Sequence, residues 1–207
     1  MSEPVQLDFY FCPTCPWCWR TALWARRIAG HGQVDISWLI FSLALINKDN
    51  PRYVTDPGAL KKRLRTESLF VAARKHGGNA AAEALYMTFG EARHGRGEEV
   101  TEDMLRSALT SAGLPASLLD QVADDPSFIE ELTAEHTQAV EDLGVFGVPT
   151  LRLQGSEIAV FGPVIDPIPS GPQALELWEH TLWVLRQPFL WEFKRERSFQ
   201  PGPQPLI

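Results

Sequence analysis

Disulfide staples are what this chain most plainly lacks: its 207 residues hold three cysteines, all between positions 12 and 18, so no disulfide framework can be drawn. Excess basic charge is missing too. Against 26 Asp and Glu the chain sets 19 Lys and Arg, a net charge of −7. Its cations are scattered rather than striped, and nucleic acid is not an expected partner. The densest apolar run, Trp38 to Ile46, is about half the roughly 20 residues that a membrane-spanning helix needs. A secretory signal would require a basic start and an apolar segment before a cleavage site, whereas Ser2-Glu3-Pro4 leads straight into an alternating stretch. The chain is expected to stay in the cytoplasm, with no membrane partner. Core material is not short: 44% hydrophobic residues with 22% charged suit one compact soluble unit.

What is present is concentrated at Cys15-Pro16-Trp17-Cys18, directly after alternating Val5, Leu7, Phe9 and Phe11 and at the opening of a helical pattern running from Trp19 to Ala29. A dithiol at a strand-to-helix junction places its first sulfur at a helix N-terminus. Unpaired backbone N–H groups and the positive end of the dipole there favour thiolate over thiol. Cys15 is the expected exposed nucleophile and Cys18, one turn inside, the resolving thiol. Pro16 suits the first helical position because it has no N–H to lose. Cytoplasmic thiols are held reduced, so such a pair there is catalytic or metal-binding more often than structural. No metal site is expected, since zinc needs more ligands than this pair supplies. Cys12 makes an overlapping Cys-x-x-Cys with Cys15. It reads as a small buried side chain, with an auxiliary redox thiol as the alternative.

Along the chain, strand Val5 to Phe11, a helix from Pro16 to about Ala29 and strand Val34 to Phe41 form a β-α-β unit. Helical patterns then cover Leu60 to His76, Ala80 to His94 and Glu102 to Ala112, punctuated by Gly77-Gly78, Gly95 to Gly97 and Gly113 to Pro115. A helix from Asp125 to about Leu143 follows, then a hairpin of Thr150 to Leu153 and Ile158 to Phe161, a last helix from Pro172 to about Arg186, and a Pro-rich tail. Trp19, Trp24 and Trp38 read as core. His31, His76, His136 and His180 have no spacing that implies metal or a catalytic pair.

This order is that of an α/β thioredoxin fold with an all-helical insertion between the second strand and the second thioredoxin helix. The chain resembles the DsbA-like branch of that superfamily, and within it is similar to the actinobacterial mycothiol-dependent nitroreductases. The resemblance rests on Asp8 to Phe11, Cys15 to Trp19, Ser42-Leu43-Ala44, Asn47, Leu85-Tyr86 with Gly90 and His94, Ala112 to Pro115, Pro149-Thr150, Phe161 to Val164 and Phe193 to Arg195. It implies a discontinuous thioredoxin domain, residues 1–48 and 126–207, with an insertion, residues 49–125, covering the active site. It also implies a cis-proline at Pro149, preceded by Val148 whose backbone faces a thiol substrate, and substrate or thiol contacts from Pro16, Trp17, Asn47 and His94. Without the resemblance, Asn47 reads as a turn residue and His94 as a solvated helix-end histidine.

The implied co-substrate is mycothiol, possibly glutathione, with no tightly bound cofactor; the implied acceptor is a nitroaromatic, another small electrophile or a disulfide. In strongly oxidising DsbA proteins the dipeptide between the cysteines carries a His. Trp17 has no formal charge, so a less stabilised thiolate and a dithiol working as reductant are expected. Two other readings stay open. One is an enzyme similar to kappa-class glutathione transferases and chromene-carboxylate isomerases, using Cys15 alone. The other is a metal-binding or holdase module built on Cys12, Cys15 and Cys18. The sequence leaves the oligomeric state open.

Overall fold

A computed structural model describes residues 3–51, 56–197 and 199–207. Met1 and Ser2 of the expected first half, and residues 52–55 of the expected insertion, lie outside the described residues. Strand β1 (Val5–Phe11), helix α1 (Pro16–Gly30) and strand β2 (Val34–Ile40) form the β-α-β unit, with Val5 opposite Val34 and Phe11 opposite Ile40 in a parallel pair. Strand β2 ends one residue earlier than the alternation suggested. β3 (Thr150–Leu153) runs antiparallel to the other edge of β1, and β4 (Ala159–Phe161) pairs with β3, giving the order β2-β1-β3-β4. The central strand β1 is therefore paired on both sides, and Leu7, Phe9 and Phe11 are buried.

Between β2 and β3 the chain is helical: α2 (Leu43–Ile46), α3 (Pro57–Gly90) with a π-helical turn at Glu91–Gly95, α4 (Glu102–Ser111), α5 (Leu118–Asp124) and α6 (Ser127–Leu143). Gly77 and Gly78 break α3 into two helical stretches, Gly78 at φ +69°, a conformation that glycine adopts without steric penalty. Asp56 caps α3 by accepting from the Gly58 and Ala59 N–H groups, and Thr101 caps α4. The last helix, α7 (Pro172–Leu185), packs Trp178 near Trp24 of α1. No helix among the described residues is long and apolar enough to cross a membrane.

Trp19, Trp24 and Trp38 are all buried, as their spacing suggested. Gly90 shows how tightly the insertion is pressed onto α1: a Cβ placed there would lie 2.2 Å from the Trp19 ring. The tail does not trail away. Trp19 Nε1 donates to the Gln204 carbonyl at 2.7 Å, the Gln204 N–H donates to the His94 carbonyl at 2.7 Å, and Arg20 Nη2 donates to the Gly202 carbonyl at 3.0 Å.

Candidate active site

β1 delivers the chain to Cys12, a turn closed by the Cys15 N–H on the Cys12 carbonyl at 3.0 Å reverses it, and α1 starts with Cys15 as its N-cap and Pro16 as its first residue. All three cysteines are free thiols. Cys15 is not exposed as its place at a strand end suggested: only 8% of its surface is accessible, and its thiol points to the Val148 carbonyl at 4.0 Å. The helix start is folded beneath the loop before β3, and the Val148–Pro149 peptide bond there is cis.

Burial alone would push a thiol's pKa up, yet Cys15 is lowered to about 7. The largest cause is a hydrogen bond from the Cys18 thiol, followed in the same direction by the Cys18 and Trp17 backbone N–H groups and the Arg197 charge. For Cys18 burial outweighs the one lowering contribution, a backbone hydrogen bond at Cys12. Fully buried, it is pushed well up, and donating to Cys15 holds its proton in place. The two thiols therefore differ, an ionisable sulfur beside a protonated one.

Cys12 is fully buried, and its surroundings are more polar than a packed thiol needs. Its Sγ lies 3.4 Å from Thr14 Oγ1 and 3.4 Å from Glu67 Oε1. Ser42 donates to the other Glu67 oxygen, and the Ala44 N–H donates to the same carboxyl. Burial raises Glu67 to about 7, and together with its own desolvation the Glu67 carboxyl pushes Cys12 well up. Tyr86 of α3 is also buried, its hydroxyl without a partner, stacked on Phe11 with ring centroids 4.0 Å apart. Burial pushes its pKa well up, and the Cys18, Cys15 and Cys12 thiols act in the same direction.

His94 is neither solvated nor charged. It is buried, its Nε2–H donates to the Pro13 carbonyl at 2.8 Å, and burial lowers it to about 4. It lines a cavity of about 250 Å³ beside the dithiol turn with Thr14, Pro16, Trp19 and Arg20, closed on one side by the tail. Asn47 terminates α2, its side-chain amide donating to the Leu43 carbonyl at 3.0 Å. This is the turn role that its residue type suggested. His136, whose spacing implied no metal or catalytic pair, is buried against Phe41. Among the described residues no group of three or more His, Cys, Asp and Glu is placed to hold a metal ion.

Trp17 is partly buried and packs on the core. The Arg197 guanidinium lies 5.1 Å from its ring centroid and Phe199 meets it edge-on at 5.9 Å. Sequence reading missed Glu67 and Arg197. Glu67 carried a signal, since it shares a helical face with Phe70 and Val71 at i+3 and i+4. Arg197 carried none, because its place depends on how a Pro-rich tail docks.

The family described as Rv2466c-like, mycothiol-dependent nitroreductase Rv2466c, matches residues 14–195. An uncharacterized protein of Mycobacterium tuberculosis, Rv2286c, is 31% identical over 197 residues, covering 93% of this chain and 82% of the relative. Among solved structures, 2-hydroxychromene-2-carboxylate isomerase superposes with a TM-score of 0.60 at 18% identity, over 86% of this chain and 94% of its own. The probable DsbA oxidoreductase SCO1869 from Streptomyces coelicolor superposes at 0.59 and 18% identity, over 97% and 98%. The fold is that of DsbA-like thioredoxin proteins with a helical insertion after β2.

Proposed function

The chain belongs to the Rv2466c-like, mycothiol-dependent nitroreductase family, and from that premise we propose that it is a cytoplasmic thiol-disulfide oxidoreductase, using Cys15 and Cys18 to reduce a small acceptor and mycothiol to reset the pair. The observation that carries this reading is the placement of the pair, Cys15 capping α1 beneath the cis Val148–Pro149 bond with its thiol towards the Val148 carbonyl and Cys18 buried one turn inside, in keeping with a Cys15 thiol that is lowered and a Cys18 thiol that is pushed up. With a disulfide acceptor, the Cys15 thiolate attacks one sulfur and expels the other as thiolate. Cys18, losing its proton, then attacks Cys15 Sγ and releases the bound half. With a nitroaromatic, the dithiol gives up two electrons and two protons, and the nitro group becomes nitroso plus water.

Either way the Cys15–Cys18 disulfide remains. One mycothiol attacks Cys15 Sγ and frees Cys18; a second attacks the resulting mixed disulfide, leaving the Cys15 thiolate and oxidised mycothiol. Val148 and Pro149 would line the acceptor's approach. Pro16, Trp17, Asn47 and His94 would form the thiol or substrate side, with the insertion over the dithiol.

The test is trapping. Cys15 is pre-loaded as a mixed disulfide with mycothiol or, separately, glutathione in wild type and Cys18→Ser, excess thiol is removed, and adduct mass and free thiols are followed. The expected result is a mycothiol adduct on Cys15 that wild type clears and Cys18→Ser retains. No adduct with either thiol overturns the mycothiol assignment, and full multiple turnover by Cys18→Ser would instead point to single-thiol chemistry of the transferase or isomerase kind.

A further inference from the structure

Trp17 stands where a charged residue would help a thiolate, and by itself it brings no charge. The structure brings one from the other end of the chain. The backbone at Gly202 and Gln204 is fastened to Arg20, Trp19 and His94 by hydrogen bonds of 2.7–3.0 Å, and the Leu206 N–H is held by the Glu91 carboxylate. Upstream of that anchor, Phe199 lies against the edge of Trp17 and the Arg197 guanidinium sits 5.1 Å from the ring centroid. This is within the range at which an aromatic face attracts a cation.

Taking Cys15 as the attacking sulfur, as proposed above, we infer that Arg197, carried over the dithiol loop by the docked C-terminal segment and seated on Trp17, is a supporting cation for the Cys15 thiolate. The groups that face Cys15 make this assignment specific. From α1 comes the Cys18 thiol, and from the end of β1 the Cys12 thiol, with the Glu67 carboxyl behind it; from α3 comes the Tyr86 phenol. None of these is a cation, and the buried His94 is neutral at physiological pH. The Arg197 charge favours the Cys15 thiolate, whereas Arg20 and Arg93, which line the cavity beside the dithiol turn, are engaged by the Asp166 carboxylate and the Glu98 carbonyl. The indole thus does indirectly what a histidine in the loop would do directly: it gives a positive charge a place to rest.

The test reads thiolate rather than turnover. Iodoacetamide alkylation of Cys15 is followed against pH in wild type, Arg197→Gln, Arg197→Lys and Arg186→Gln, the last removing the same charge from an exposed position at the end of α7. Arg197→Gln is expected to move the midpoint up and to slow alkylation at about pH 6 by about threefold, while Arg197→Lys largely keeps the wild-type profile and Arg186→Gln leaves it in place. Raising salt to about 1 M should move the wild-type midpoint up and close the gap to Arg197→Gln, because an exposed charge is screened.

An unchanged profile in Arg197→Gln, an equal shift in Arg186→Gln, or a wild-type midpoint indifferent to salt overturns the inference. The wild-type salt series gives that answer even if a variant does not fold. Failure of mycothiol trapping would overturn the exchange reading and leave these profiles standing, so the two proposals fail separately.

Discussion

Glu67 carries a carboxyl where water does not reach, held by Ser42, Ala44 and Cys12, and it titrates at about 7 instead of the ordinary 4.5. Between those values the folded protein keeps a proton that the unfolded chain has released. Stability therefore falls as pH rises through that window, by about 3 kcal/mol at most. Denaturant midpoints at about pH 5 and about pH 8 should show wild type losing more stability across the interval than Glu67→Gln, with a difference of that order. His94 has the opposite sign. Its value is lowered from 6.5 to about 4, so the unfolded chain takes up the proton first and stability falls as pH drops from 6.5 towards 4. His94→Asn should flatten that acid limb when the same midpoints are followed downward in pH.

At the level of elements, the contact between α3 and α1 depends on a missing side chain. Gly90→Ala would drive a methyl into the Trp19 ring, with a Cβ at 2.2 Å, and should destabilise the fold by about 1–3 kcal/mol in urea unfolding. The long elements were readable because their periodicity and punctuation agree: alternation marks β1 and β2, Pro16 opens α1, and Gly77-Gly78 interrupts α3 where the pattern broke. α2, of four residues, and α5, of seven, were not. Elements of one or two turns carry too little periodicity to register. The thiol pair was legible for a similar reason, since Cys15 and Cys18 lie within one turn of the same helix. Glu67 against Cys12 and Arg197 against Trp17 join residues far apart in sequence, and only packing brings them together.

Over the whole molecule, the last residues complete a surface that the first helix leaves unfinished. Trp19 Nε1 and Arg20 are buried groups whose acceptors include the Gln204 and Gly202 carbonyls. Removing residues 199–207 strands these donors and should lower unfolding stability by about 2–4 kcal/mol in urea. It should also shift the Cys15 alkylation profile as Arg197→Gln does, since the anchor that positions Arg197 is gone. The same docking decides how the protein can be handled. A purification tag joined to Ile207 would begin two residues beyond Leu206, whose N–H is fixed to Glu91, close to the stretch from Pro201 to Gln204 that lines the cavity next to the dithiol. A tag at the start of the chain enters at the Val5 end of β1, about 20 Å along the strand from its Phe11 end. Fusions for kinetic or trapping work belong at the N-terminus, and activity compared between the two placements would itself report whether the tail is seated.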